Sequence, residues 1–310
     1  MILTVGNGLS LPTLTAALEE AKKFAPDPVT IQLMPGRYYE KTVITQADLT
    51  IEGESAENTV IIYDDSALEI MPDGLKRGTF GTYTMLVDAP RVTLRRLTIE
   101  NSAGPGRIAG QAIALYAEGE GILVDQCRLL GYQDTLFTGP LPPKEIEPGG
   151  FRGPKQFSPR INGRQYYRDT YICGTVDFIF GSATAYFEHC TIESLDSETG
   201  FVTAGSSPEG QTYGYVFNEC RFIGQGAPQT RYLGRPWRDY ARVIIMRSEI
   251  GPHICPEAWN DWGKERAHST CFFGEFENYG PGAEGNRPKW THQLTPEEAA
   301  AYTRENVLGY

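Results

Sequence analysis

Histidine and cysteine are scarce in this sequence, and basic residues are outnumbered. The four histidines, His189, His253, His268 and His292, form no metal-spaced pair. No Gly-x-Ser-x-Gly elbow occurs, so a serine-histidine esterase plan and a zinc centre both lack their groups. Six cysteines in 310 residues are too sparse for a disulfide scaffold, and the expectation is free thiols in a core. No apolar run approaches the length of a membrane span. The start, Met1-Ile2-Leu3-Thr4-Val5-Gly6, carries neither the basic nor the long apolar region of a secretion signal. The compartment expected from this is cytoplasmic, the alternative being a secreted chain with its signal removed. With 28 basic against 39 acidic residues, the formal net charge is −11. Nucleic acid is excluded as a partner on that ground, because its binding rests largely on phosphate neutralisation.

Glycine and proline are plentiful, 34 and 21 residues, alongside 40% hydrophobic residues. This is material for a continuous core broken by many turns. Leu14, Ala17, Leu18 and Ala21 fall at helical spacing, with Glu19, Glu20, Lys22 and Lys23 opposite, and predict an N-terminal helix ending before Pro26 and Pro28. From Val29 to about Ile250 short β-prone runs follow one another between Gly, Asn, Asp and Pro. They repeat. Residues 92–99 return in form thirty positions later as 122–129, residues 186–192 return thirty positions later as 216–222, and Thr170 precedes Cys190 by a shorter interval of twenty.

Such periods with one short strand per unit define a solenoid. The leucine-rich consensus of another solenoid class is missing, which leaves an all-β, right-handed parallel β-helix. In that register Leu97, Cys127, Thr170, Cys190 and Cys220 stack in one inward column. The N-terminal helix is expected to cap one end. Thr295-Pro296-Glu297-Glu298 opens a second helix, from Leu294 to Val307, expected on the outside of the coil. Residues 1–310 are read as one β-helix domain. Residues 139–163, rich in proline and glycine and without apolar period, interrupt it as an inserted loop, either a plain surface excursion or a wall of a binding groove.

Two carboxylates sit in strongly β-prone surroundings: Asp134 in Gly131-Tyr132-Gln133-Asp134-Thr135-Leu136, and Asp177 in Gly174-Thr175-Val176-Asp177-Phe178-Ile179-Phe180-Gly181. A charge there is costly to bury without a partner. Once the insertion is set aside the two lie on adjacent repeats, about 4.8 Å apart across a ladder. Gln111 lies one repeat earlier, and Arg235 and Trp237, in Leu233-Gly234-Arg235-Pro236-Trp237, two repeats later. Each alone has an ordinary structural explanation: a turn Asp, a solvated Gln, a loop ion pair, a core Trp. Five such groups at matching register are much harder to explain that way.

This set resembles that of the pectin methylesterases, and the resemblance extends over nearly the whole chain through Asn101-Ser102-Ala103-Gly104-Pro105, Trp259, Trp262 and Gly280-Pro281-Gly282-Ala283. It implies hydrolysis of the C6 methyl ester of galacturonate units in methyl-esterified homogalacturonan or its oligosaccharides, with release of methanol. It assigns Asp177 as nucleophile, Asp134 as acid then base, Gln111 and Gln133 as oxyanion donors, and Arg235 as the partner of Asp177. Trp237, Thr79 and Phe180 are implied to contact substrate. No metal and no cofactor is called for, and a monomer is expected. The alternatives weighed are a pectin-degrading β-helix lyase or hydrolase, and a non-catalytic carbohydrate-binding β-helix.

Overall fold

The chain winds its strands into three parallel sheets of eleven, seven and eight strands, in which neighbours come from successive coils. This is the parallel β-helix expected from the repeats; a computed structural model describes it over residues 1–310. In the eleven-stranded sheet Ile122–Asp125, Arg164–Arg168, Thr184–Glu188 and Tyr215–Asn218 lie in consecutive order. Each is followed by a partner in the eight-stranded sheet: Arg128–Leu130, Tyr171–Gly174, Thr191–Ser194 and Arg221–Gly224.

The corner between those two sheets is made the same way in six successive coils. Arg96, Gln126, Asp169, His189, Glu219 and Arg247 each adopt positive φ, between 48° and 55°. One left-handed residue is a sharp enough bend to join two strands with almost no loop. The following residues, Leu97, Cys127, Thr170, Cys190 and Cys220, then point inward, all 1% exposed or less. The expected column is therefore real, and all six cysteines are free and buried. His189 is placed by the same rule: it stands just past the strand Thr184–Glu188, at a corner rather than within a strand, and pairs with Glu219 at 3.0 Å.

Alternation along the strands divides core from surface. Inward residues join one long cluster running through the coil, in which Phe187 stacks between Tyr167 at 4.6 Å and Phe217 at 4.3 Å. The helix Leu14–Ala21 buries Leu14, Ala17, Leu18 and Ala21 against that cluster, as its spacing predicts. At the other terminus the expected continuous helix is broken. Pro296–Ala299 runs into a 3₁₀ turn, Thr303 interrupts with extended backbone, and Arg304–Leu308 begins afresh with the Thr303 side chain as its cap. Thr303 repeats the capping chemistry of Thr295, and a threonine that caps a new helix cannot continue the old one. Both short helices pack on the outer face of the eleven-stranded sheet through Ala299, Val307 and Leu308 against Tyr166, Tyr186 and Val216. No helix is long and apolar enough to cross a membrane.

Candidate active site

The seven-stranded sheet carries the site. Its strands Leu115–Ala117, Leu136–Thr138, Val176–Gly181, Gly200–Gly205 and Arg231–Pro236 lie side by side in that order. Leu136 pairs with Ile179 and Phe137 with Phe180, so Asp134 and Asp177, two residues before the first pair, stand at the same level on adjacent coils. The backbone N–H of Asp134 donates to Val176 O at 3.1 Å, fixing that alignment. Both aspartates have positive φ, 65° and 50°. Two non-glycine residues in this costly region, side by side, mark a site where local geometry is imposed by its surroundings.

Arg235 reaches Asp177 from two coils away. Its Nε donates to Oδ1 at 2.8 Å and its Nη2 to Oδ2 at 2.7 Å, a two-pronged pairing. The guanidinium itself is held between Trp262, 3.6 Å from the ring centre, and Phe201, at 3.8 Å. Asp134 has no such partner, although only 7% of each aspartate is exposed. Their acidities differ accordingly. Burial raises the Asp177 carboxyl, and the hydrogen bonds and charge of Arg235 pull it back. Burial pushes the Asp134 carboxyl well above the ordinary carboxylate range, the adjacent Asp177 adds to this, and Arg235 offsets only part. Of the two, Asp134 is the one pushed further toward its protonated form.

These groups open into one cleft of about 400 Å³, lined also by Gln111, Gln133, Thr79, Phe180 and Trp237. All eight residues singled out in the sequence thus meet in one place. Supporting contacts explain why. Asn101 donates from Nδ2 to Asp65 O, Thr82 O and Ile113 O at 2.9–3.1 Å, tying the turn Thr79–Gly81 to the segment bearing Gln111. Gly106 lies against Gln133: a Cβ there would fall 2.5 Å from Oε1. Phe137 and Phe180 belong to an outer aromatic cluster with Phe80, Tyr116 and Phe151, and Trp237 packs against it.

Other cleft residues lay beyond sequence reasoning. Trp262 was noted only as a matching residue; its place over Arg235 depends on a positive φ of 56° in an irregular loop. Beside the cleft rather than on its lining, Lys264 donates to Pro236 O and Trp237 O at 2.7 and 3.0 Å, and burial, with nearby Arg238 and Arg235, lowers its ammonium to about 8. Ile146, Glu147 and Phe151, from the insertion, also line the cleft.

A right-handed parallel β-helix bearing a buried pair of unlike carboxylates, one clamped by arginine, defines a class of β-helix proteins with a site fit for acid-base or nucleophilic chemistry, and the fold alone does not select one reaction. The comparisons with known proteins narrow it. The pectinesterase family profile matches residues 3–140 and 160–309. Pectinesterase 31 of Arabidopsis thaliana is 33% identical over 287 residues, covering 90% of this chain and 82% of that protein. Among solved structures, a pectin methylesterase in complex with a hexasaccharide superposes with a TM-score of 0.79 at 27% identity, covering 99% of this chain and 96% of the other. The carrot pectin methylesterase gives 0.83 at 25% identity, covering 99% and 92%. This chain belongs to the pectinesterase family.

Proposed function

We propose that this enzyme removes methyl esters from galacturonate units of pectin through an acyl-enzyme on Asp177. The observation that carries the reading is the asymmetry of the carboxylate pair: Asp177 clamped by Arg235 at 2.7–2.8 Å beside Asp134, buried and without an ion partner. Each carboxylate oxygen has a lone pair left after accepting from Arg235, so Asp177 can attack the C6 carbonyl carbon. The negative charge that develops on the carbonyl oxygen is met by side-chain N–H groups of Gln111 and Gln133. As the C6–O bond to the methyl group breaks, Asp134 gives its proton to the departing oxygen and methanol leaves. Asp134, now ionised, takes a proton from water as that water opens the Asp177 anhydride, which regenerates both carboxyls. Trp237, Phe180 and Thr79 supply the surface on which sugar rings rest.

The test is methanol release from methylated pectin measured together with new reducing ends. Methanol without chain shortening is the expected result; new reducing ends or unsaturated products would support a depolymerase instead.

The two carboxyls set a pH dependence. Asp177 must be ionised and Asp134 protonated, so kcat/KM falls at acid pH through Asp177 and at alkaline pH through the raised Asp134. Lys264, lowered to about 8, is the other group nearby able to shape the alkaline limb. Lys264→Met should leave that limb in place. If it abolishes the limb, Asp134 is not the group responsible.

Gly106→Ala should lower kcat/KM by roughly a hundredfold, the cost of displacing a reacting-site group by about 1 Å. The added methyl meets the Gln133 side chain, Oε1 at 2.5 Å and Cβ at 3.1 Å, and no backbone atom, so the melting temperature should fall only slightly. A large loss of stability accompanying the activity loss would show that Gly106 serves packing instead.

A further inference from the structure

The family profile is interrupted at residues 141–159, and that segment is built into the cleft. It has two sets of anchors. On one side Arg238, its guanidinium over the Trp237 ring, donates from Nη2 to Lys144 O at 3.1 Å. On the other, Phe151 packs on Phe80 with ring centres 5.8 Å apart, Arg152 pairs with Asp73, and Lys155 pairs with Asp88 at 2.6 Å. Residues 145–150 bridge these anchors as a strap, with Ile146 and Glu147 on the cleft and Ile146 65% exposed.

The strap crosses one particular side. Phe137 and Phe180 point outward from the seven-stranded sheet, yet they are 0% and 3% exposed, because Phe80 and Trp237 pack on them within a cluster that Phe151 and Leu141 extend. They lie toward the C-terminal ends of their strands relative to Asp134 and Asp177. Trp237 and Arg238 follow the end of Arg231–Pro236. Toward the N-terminal ends there is more room: Gln133 is shared with a second, larger hollow of about 630 Å³, lined by Arg107, Thr175, Ser197 and Thr199. Thr175 and Thr199 immediately precede the strands Val176–Gly181 and Gly200–Gly205. A sugar chain lying along the strands therefore has room on one side of the carboxylates and a wall on the other. On the walled side the cleft, about 400 Å³, is at the small end of ligand pockets of about 300–1,000 Å³.

We infer that the strap makes the groove one-sided, so that the unit demethylated lies at or next to one end of the galacturonate chain, and short methylated oligosaccharides are better substrates than long pectin. This rests on the esterase reading above. Fully methylated galacturonate oligomers of defined length and long, highly methylated pectin are compared at equal ester concentration, by methanol release and by mass-spectrometric location of the freed carboxyl. The expected result is a first free carboxyl always near the same terminus, with kcat/KM per ester roughly tenfold higher on the oligomers. Ile146→Gly with Glu147→Gly should move the freed carboxyl to internal units and raise turnover of the polymer relative to the oligomers. Internal demethylation by the unaltered enzyme, at equal rates on both substrates, overturns the one-sided groove while leaving the esterase intact. Absence of methanol from every substrate overturns the esterase reading itself.

Discussion

Asp177→Asn should reduce kcat for methanol release by roughly 10⁴–10⁶-fold, the range set by removal of a covalent nucleophile. Asparagine has almost the same shape and can still accept one hydrogen bond from Arg235, which stays held between Phe201 and Trp262. The fold and the cleft surface of Trp237, Phe180 and Thr79, proposed to contact the sugar, are left in place. Binding of methylated oligosaccharide, measured calorimetrically, should change only a few-fold while turnover disappears. That split separates a nucleophile from a binding residue. Residual turnover above roughly one hundredth of the unaltered rate would remove Asp177 from the covalent step. Asp134→Asn makes a different pattern: the methanol leaving step loses its proton source, so substrates with a better leaving group than methoxide should recover much of the rate.

The coil was legible because its physics is repetitive. Each turn needs one small inward residue after each corner, and Cys127, Thr170, Cys190 and Cys220 betray the register through their spacing. The corner residues themselves gave no such signal. Arg96, Gln126, Asp169, His189 and Glu219 share only a backbone conformation, and nothing in their side chains favours positive φ except in the aspartate and the histidine. The coil's stacking fixes that conformation, so it is a tertiary effect. The broken C-terminal helix was missed for a different reason. Thr303 looks like any mid-helix threonine until its neighbours Arg304 to Leu308 are seen to pack separately on the sheet.

At the site, residues carried by strands or their flanking turns could be placed by counting repeats, which is why Asp134, Asp177, Gln111, Gln133 and Arg235 converge as expected. Those carried by irregular segments could not. Trp262 and Lys264 approach Arg235 and Asp177 from a loop whose path follows no period, and Phe151 belongs to an insertion whose only sequence signal was its lack of pattern. The insertion's role was open to two readings. Ile146, Glu147 and Phe151 on the cleft, with Phe151 packed on Phe80, favour the groove wall over a loose surface excursion.

The ion pair between Arg235 and Asp177 yields the second large effect. Arg235→Met keeps an unbranched apolar side chain but removes the guanidinium that lies between Phe201 and Trp262, and with it both hydrogen bonds to Asp177. A buried carboxylate then has no partner, which should cost about 3–5 kcal/mol of stability at neutral pH. The sign with pH follows from the protonation of Asp177. Without Arg235 the folded-state pKa, already raised by burial, rises further above its unfolded value of about 3.9. A raised carboxyl leaves the fold at full strength below the unfolded pKa and weakens it as pH climbs through the folded one. The melting-temperature deficit of Arg235→Met should therefore be greatest at neutral pH and shrink on acidification. Combining it with Asp177→Asn should restore much of the lost stability, since the buried charge is gone, giving a strongly non-additive double-mutant cycle. Additive losses at every pH would mean that Arg235 stabilises the coil through packing with its two aromatic neighbours, and that the clamp on Asp177 serves geometry alone.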